Sequence, residues 1–204
     1  LVPSMALGTG ESTLLEMTGA YAGILNKGIS SIPYGLTSIT IQGDNESLLK
    51  HDPNNSLRVI KENAANQLTF MMKEVIKSGT GSRADLGERQ AAGKTGTTQG
   101  ARDAWFIGFT SDFVVGVWMG YDDNRKLTGV TGSGMPADIW REVMLRINEN
   151  IPEKKIIFNE KKLANDLNSN NGIEFINRIF GGIGNKRKED SNNDFISRLK
   201  DLFN

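Results

Sequence analysis

The chain has 204 residues, with 24 Lys plus Arg against 24 Asp plus Glu; it is long enough to bury one core without staples, and no net field draws it to nucleic acid or an anionic membrane. With no cysteine and a single histidine, His51, the sequence excludes thiol nucleophiles, disulfide frameworks, zinc knuckles and serine–histidine pairs built elsewhere, and nothing in it calls for a metal or another cofactor. No apolar stretch reaches the roughly 18 residues of a membrane span. The opening LVPSMALGTGES has neither an initiator Met nor a signal layout, so the chain reads as an excised segment.

Thr13 followed by Glu16 forms a capping box, and helical periodicity from Leu14 to Asn26 predicts a first helix with Gly28 as its stop. Ile39 to Ile41 alternates as a strand, QGDNE supplies turn residues and SLLKH returns before Pro53, which predicts a small exposed hairpin. From Glu62 to Lys77, Ala65, Leu68, Met71, Met72, Val75 and Ile76 recur at helical spacing until Gly79-Thr80-Gly81 breaks the pattern. Three strands are then expected at Gln90–Thr98, Asp103–Thr110 and Phe113–Asp122. The connections QGAR and SD are too short for crossovers, so the three run antiparallel as a meander. Pro136 suits a first helical turn, and Ile139, Trp140, Val143, Met144 and Ile147 form the stripe of a helix that covers a sheet face. The fold class is therefore α+β, an antiparallel sheet packed with helices.

Composition changes near residue 150. The segment 151–204 is rich in Asn and charge and is expected to be a largely flexible tail on a domain of residues 1–150, with two apolar islands, Ile173–Phe180 and Phe195–Phe203, able to dock on something.

Lys94-Thr95-Gly96-Thr97 places a cation, two hydroxyls and a glycine in the middle of an otherwise apolar strand. On a regular strand Lys94 and Gly96 face one side and Thr95 and Thr97 the other, and the glycine lets a ligand backbone approach closely. Such an edge strand suits an extended peptide, with hydroxyls and ammonium receiving its terminal carboxylate. A nucleotide-binding protein using Gly93-Lys94-Thr95 as a phosphate loop is the alternative, but that pattern requires glycine where Glu88 stands and a helix directly after Thr95. GTTQGARD, rich in turn formers, follows instead.

The segment AAGKTGTTQGARDAWFIGFTSDFVVGVWMGYDD closely resembles the region around the third active-site motif of penicillin-binding proteins of the bifunctional, high-molecular-mass class A. SMALGTGESTLLEMTGAYAGILNKG resembles the helix that precedes it in that class, and the resemblance runs over about residues 1 to 145. It implies the C-terminal part of a transpeptidase domain with the β-lactamase/transpeptidase-like fold. It also implies acyl-serine chemistry on peptidoglycan stem peptides ending in D-Ala-D-Ala, inactivation by β-lactams, and a place at the outer face of the bacterial plasma membrane.

Of the family's motifs SxxK, SxN and KTG, only the third can be placed. The resemblance gives Lys94 the supply of positive potential, Thr95, Gly96 and Thr97 the substrate subsite, and the Thr97 N–H one of two oxyanion donors. The partner donor, the nucleophile and the SxN motif are expected in a preceding part of the same protein, so the chain alone is expected to be inactive. A noncovalent module for D-Ala-terminated peptides is a second alternative.

Ser47-Leu48-Leu49-Lys50 fits SxxK, and Ser169-Asn170-Asn171 and Ser191-Asn192-Asn193 fit SxN. With 14 Ser, 14 Lys and 19 Asn, each pattern is expected about once by chance. Pro53 also closes the Ser47 segment before any long helix could aim Lys50 at Ser47. His51 reads as a solvated loop residue, and Trp105, Phe106, Trp118 and Trp140 as core. Arg102-Asp103 reads as structural, a surface pair or a clamp on the end of the site strand. Lys186-Arg187-Lys188, followed at once by Glu189-Asp190, reads as a mixed-charge linker.

Overall fold

The computed structural model describes residues 10–44, 46–52 and 56–157. Helix α1 (Leu14–Leu25) opens on the expected capping box: Glu16 N–H donates to Thr13 Oγ1 at 3.2 Å and Thr13 N–H to Glu16 Oε2 at 2.8 Å. The Thr13 N–H, and then the Thr13 hydroxyl at 2.9 Å from Glu16 Oε2, hold the Glu16 carboxyl below its usual range, because both donate to its charged form. After the cap at Asn26 the chain reverses through Lys27 and Gly28, both at positive φ. Gly28 is required twice over. Its φ is +89°, and a Cβ there would stand 2.1 Å from Ile60 O, because Gly28 O accepts from the Val59 and Ile60 N–H groups.

Strands β1 (Ser38–Thr40) and β2 (Ser47–Lys50) pair antiparallel as the expected hairpin, and every residue of both is exposed. Helix α2 (Glu62–Lys77) ends where predicted, and a one-turn helix at Ser82–Ala84 leads into the sheet. The meander comprises β3 (Ala92–Thr97), β4 (Asp103–Phe109) and β5 (Val114–Gly120), in the spatial order β3-β4-β5. Helix α3 (Met135–Ile147) follows, with Pro136 in its first turn.

Period-two alternation assigns the two sheet faces. Phe106 of β4 faces α3, where its ring lies 5.1 Å from that of Trp140 in a cluster with Ile76, Ala84 and Met144. Its neighbour in alternation, Phe109, joins Met72, Ala92 and Ile156 on the opposite face, beneath Tyr21, Ile24 and Leu25 of α1. Helix α2 packs against the start of β3 and contributes Met72 to one cluster and Ile76 to the other. Ala91 to Gly93 are consequently buried, and the strand emerges from the body at Lys94. Apolar burial on both faces is what fixes the register, since a one-residue slip would exchange Phe106 and Phe109.

Residues 151–157, which the sequence places at the start of the tail, lie on this body. Arg89 donates to Ile151 O at 2.5 Å, Ile156 N–H donates to Gln90 Oε1 at 3.2 Å, Ile156 is 5% exposed, and Lys154 Nζ sits 2.6 Å from Asp112 Oδ1. The remainder of the expected tail, with both apolar islands and both SxN matches, lies outside the described residues. Hydrogen bonds from Lys154 and then Ser111 hold the Asp112 carboxyl below its usual range. A depressed carboxyl pKa contributes stability that is present above the unfolded value, about 3.9, and is lost as pH falls through the lower folded value. The Ile156 amide resonance, followed by NMR in acid titration, is therefore expected to move below the ordinary carboxylate range. Lys154→Ala should raise that midpoint toward the ordinary carboxylate range; an unchanged midpoint would show that the ion pair does not hold this segment.

Candidate functional site

The direction of the site strand's backbone groups follows from the ladder. Residues paired between β3 and β4 sum to 201, and Thr98 N–H donates to Asp103 O at 3.0 Å, so the hydrogen-bonded positions on β3 are 92, 94, 96 and 98. Across β4 the sum is 223, and Thr110 N–H donates to Phe113 O at 3.0 Å, so β4 turns positions 104, 106 and 108 to β5 and 103, 105, 107 and 109 to β3. The two phases agree. Positions 93, 95 and 97 of β3 therefore direct their N–H and C=O groups away from the sheet, and beyond Gly93 that edge is solvent-accessible.

Side chains along this edge are held from several directions. Lys94 and Gly96 lie opposite Ile107 and Trp105, on the α1 face, whereas Thr95 and Thr97 lie opposite Phe106 and Ala104, on the α3 face. Lys94 Nζ nevertheless reaches the edge, donating to Thr95 O at 2.9 Å and lying 3.4 Å from Thr95 Oγ1. Thr95 Oγ1 is also 2.8 Å from Thr80 Oγ1, so the loop that ends α2 touches the site strand. Thr97 Oγ1 accepts the Gly132 N–H at 3.0 Å, from the loop that precedes α3. A cation, two hydroxyls and two outward N–H groups thus share one strand edge, an arrangement suited to an extended chain that ends in an anion.

The far end of the strand is clamped by Asp103. Its N–H donates to Thr98 Oγ1 at 2.8 Å, its Oδ2 lies 3.1 Å from Thr98 Oγ1, and its Oδ1 accepts the Trp118 indole N–H at 3.0 Å. Arg102 turns elsewhere, donating to Asn124 O. Neither Thr80 nor Gly132 was legible as a site neighbour in the sequence, since they stand 15 and 35 positions from the threonines they touch.

Other singled-out residues are placed away from this edge. Ser47 and Lys50 lie on the short exposed strand β2, where an irregular register pairs them with Thr40 and Ser38, and Ser47 Oγ lies 3.3 Å from Thr40 Oγ1. His51 stacks on Tyr34, with ring centroids 3.6 Å apart and planes within 17°. Phe106 and Trp140 are fully buried, while Trp118 remains 38% exposed. Gly93-Lys94-Thr95 runs as strand into Thr97 and a turn, so no helix N-terminus stands behind Thr95 to receive a phosphate.

Comparison with known proteins agrees with this architecture. Residues 3–144 match the family described as the penicillin binding protein transpeptidase domain. The chain belongs to that family. Its relatives are class A penicillin-binding proteins: it is 32% identical over 166 residues to penicillin-binding protein 1A of Aquifex aeolicus, an alignment covering 81% of this chain and 23% of that protein. It is also 32% identical over 153 residues to penicillin-binding protein 1B of Haemophilus influenzae, covering 72% and 19%. The chain thus spans about a fifth of the length of these relatives.

Among solved structures, penicillin-binding protein 1A from Haemophilus influenzae superposes with a TM-score of 0.67 at 27% identity, over 78% of this chain and 30% of that one. The penicillin-binding protein PonA1 from Mycobacterium tuberculosis gives 0.67 at 25%, over 74% and 42%. The fold is that of the β-lactamase/transpeptidase class. Among the described residues, no helix is long and apolar enough to cross a membrane.

Proposed function

We propose that this chain forms the KTG wall of a peptidoglycan D,D-transpeptidase, the part of the active site that orients a D-Ala-D-Ala stem peptide against a serine supplied by a preceding part of the same protein. The observation that carries this reading is the alternation along β3, which turns the backbone groups of Thr95 and Thr97 outward beside the Lys94 ammonium. In the acylation step the serine Oγ bonds to the carbonyl carbon of the penultimate D-Ala. Negative charge then grows on the carbonyl oxygen, where the Thr97 N–H donates, and the C–N bond to the terminal D-Ala breaks as that residue leaves with the proton. An amine of a neighbouring stem peptide attacks the acyl-serine to form the cross-link and releases the serine. A β-lactam follows the first half of this path, and its ring opening leaves no amine to diffuse away.

Lys94 contributes positive potential, and the hydroxyls of Thr95 and Thr97 receive the terminal carboxylate, the acceptor-only group that hydroxyl and ammonium donors suit. The substrate class places the parent protein at the outer face of the plasma membrane. The partners of this surface are then stem peptides, β-lactams and the rest of its own transpeptidase domain.

The isolated chain is expected to form no covalent adduct with a β-lactam, because Ser47 lies on a short exposed strand with its hydroxyl against Thr40 Oγ1, and no helix runs from it to aim Lys50 at it. Intact mass after incubation with a penicillin reads this directly. A gain of one penicilloyl unit that disappears in Ser47→Ala would place the nucleophile within the chain and overturn the division of the site. Joining the chain to the preceding part of its domain should restore acylation, and continued inactivity there would count against the transpeptidase reading.

A further inference from the structure

The loop between β5 and α3 carries three glycines in Gly129-Val130-Thr131-Gly132-Ser133-Gly134, and only Gly132 is fixed by a contact. A Cβ at Gly129 would meet nothing within 4 Å, and one at Gly134 would come no nearer than 3.5 Å to another atom, an ordinary contact. At Gly132 the same atom would stand 2.4 Å from Gly96 O, 2.5 Å from Trp105 O and 2.8 Å from Gly96 N. All three are backbone atoms of the β3–β4 ladder, with no flexible side chain to move aside. The loop is anchored before this point, where Leu127 N–H donates to Ala101 O at 2.7 Å, and it turns tightly around Gly132, where Gly134 N–H donates to Thr131 O at 3.0 Å. Gly132 therefore lies directly on the site strand, and from there its N–H meets Thr97 Oγ1 at 3.0 Å.

The hydroxyl inventory gives this bond its consequence. A threonine hydroxyl has one hydrogen to donate and two lone pairs to accept with. The Gly132 N–H can only donate, so it occupies a lone pair and fixes the Oγ1 position while leaving the hydroxyl hydrogen free for a ligand. We propose that Gly132 is a positioning residue for the carboxylate subsite, holding the Thr97 hydroxyl as a donor toward an acceptor-only group at the substrate terminus. This rests on the transpeptidase reading above, and it assigns the selectivity for a free carboxylate to a backbone N–H from a loop outside the KTG strand.

The test measures second-order acylation by a penicillin with a free carboxylate and by its methyl ester, in the chain joined to the preceding part of its transpeptidase domain. Thr97→Val keeps shape and backbone N–H but loses the hydroxyl. It should lower reaction with the carboxylate form about ten- to a hundredfold, the range for a lost hydrogen bond to a charged group, and change the ester little. Gly132→Ala should shift the same carboxylate-to-ester ratio by about tenfold, and it should add nothing to that ratio when Thr97 is already Val. Equal losses for carboxylate and ester, or a further multiplied loss of the ratio in the double variant, would show that Gly132 matters only for strand shape.

Should Thr97→Val leave both reactions unchanged, the reading of Thr97 as a carboxylate ligand fails, whatever Gly132 does. A second measurement does not depend on Gly132→Ala folding. In the 204-residue chain itself, the Gly132 amide should lose hydrogen-exchange protection in Thr97→Val and keep it in Thr97→Ser. Unchanged protection in Thr97→Val would overturn the proposal.

Discussion

Compared with Thr97→Val, which lacks the same hydroxyl, Thr97→Pro in the complete transpeptidase domain is expected to lower the second-order rate of β-lactam acylation by a further factor of about 10² to 10³, the cost of one oxyanion donor, while Thr97→Ser stays within roughly tenfold of wild type. The ladder makes the comparison of proline with valine a test of the backbone N–H alone. Thr97 N–H points out of the sheet, so proline there removes no interstrand hydrogen bond, and proline is accepted on edge strands when the lost N–H faced outward. Gly96, which precedes it, is already in the extended conformation that a following proline favours. Circular dichroism and melting of Thr97→Pro should therefore match those of Thr97→Val, which also frees the Gly132 N–H. Near-wild-type acylation by a folded Thr97→Pro would remove Thr97 from the oxyanion hole and, with it, the mechanism proposed for this strand.

The largest effect on stability is expected at Trp140. Its side chain is fully buried, its ring lies 5.1 Å from that of Phe106, and its indole N–H donates to Val115 O at 3.0 Å and Gly108 O at 3.3 Å. Trp140→Ala should cost about 3 to 5 kcal/mol in urea unfolding, from lost burial plus the cavity left where α3 crosses the sheet. Trp140→Phe keeps most of that contact. The two carbonyls it leaves belong to a hydrogen-bonded pair of the β4–β5 ladder, so neither is orphaned, and about 1 to 2 kcal/mol is expected. A loss below 1 kcal/mol in Trp140→Ala would mean that α3 is not part of the cooperative unit that supports the site.

The sequence made the local elements legible because each is written in near neighbours. Thr13 and Glu16 lie one helical turn apart, α2 repeats at three and four, and the two short connections leave the meander no other topology. The KTG segment stood out for the same reason, as polar types inside one apolar strand. What escaped was written in distance. Gly132 sits in a run that reads as an ordinary turn, and its role exists only because the fold lays it on Gly96 and Trp105. A glycine between a turn and the proline of a following helix was the only trace, and many loops share it. Docking of residues 151–157 was equally hidden. Ile156 is a buried residue that follows Glu153-Lys154-Lys155 and precedes an exposed Ile157, and the segment's partners Gln90, Arg89 and Asp112 come from two separate stretches of chain.

The clamp at the end of the site strand gives the molecule a built-in optical reporter. Of its three tryptophans, Trp140 is sealed in the core and should supply a constant blue-shifted emission. Trp105 lies beneath Gly96, its Cβ 3.3 Å from where a glycine Cβ would stand, and Trp118 is tied through its indole N–H to Asp103, which also binds Thr98. The Trp105 and Trp118 rings are 6.3 Å apart, close enough to exchange excitation. Any ligand that shifts β3 against β4 alters the surroundings of both fluorophores at once, so occupancy of this edge becomes readable as a change in intrinsic emission, without a label and without turnover.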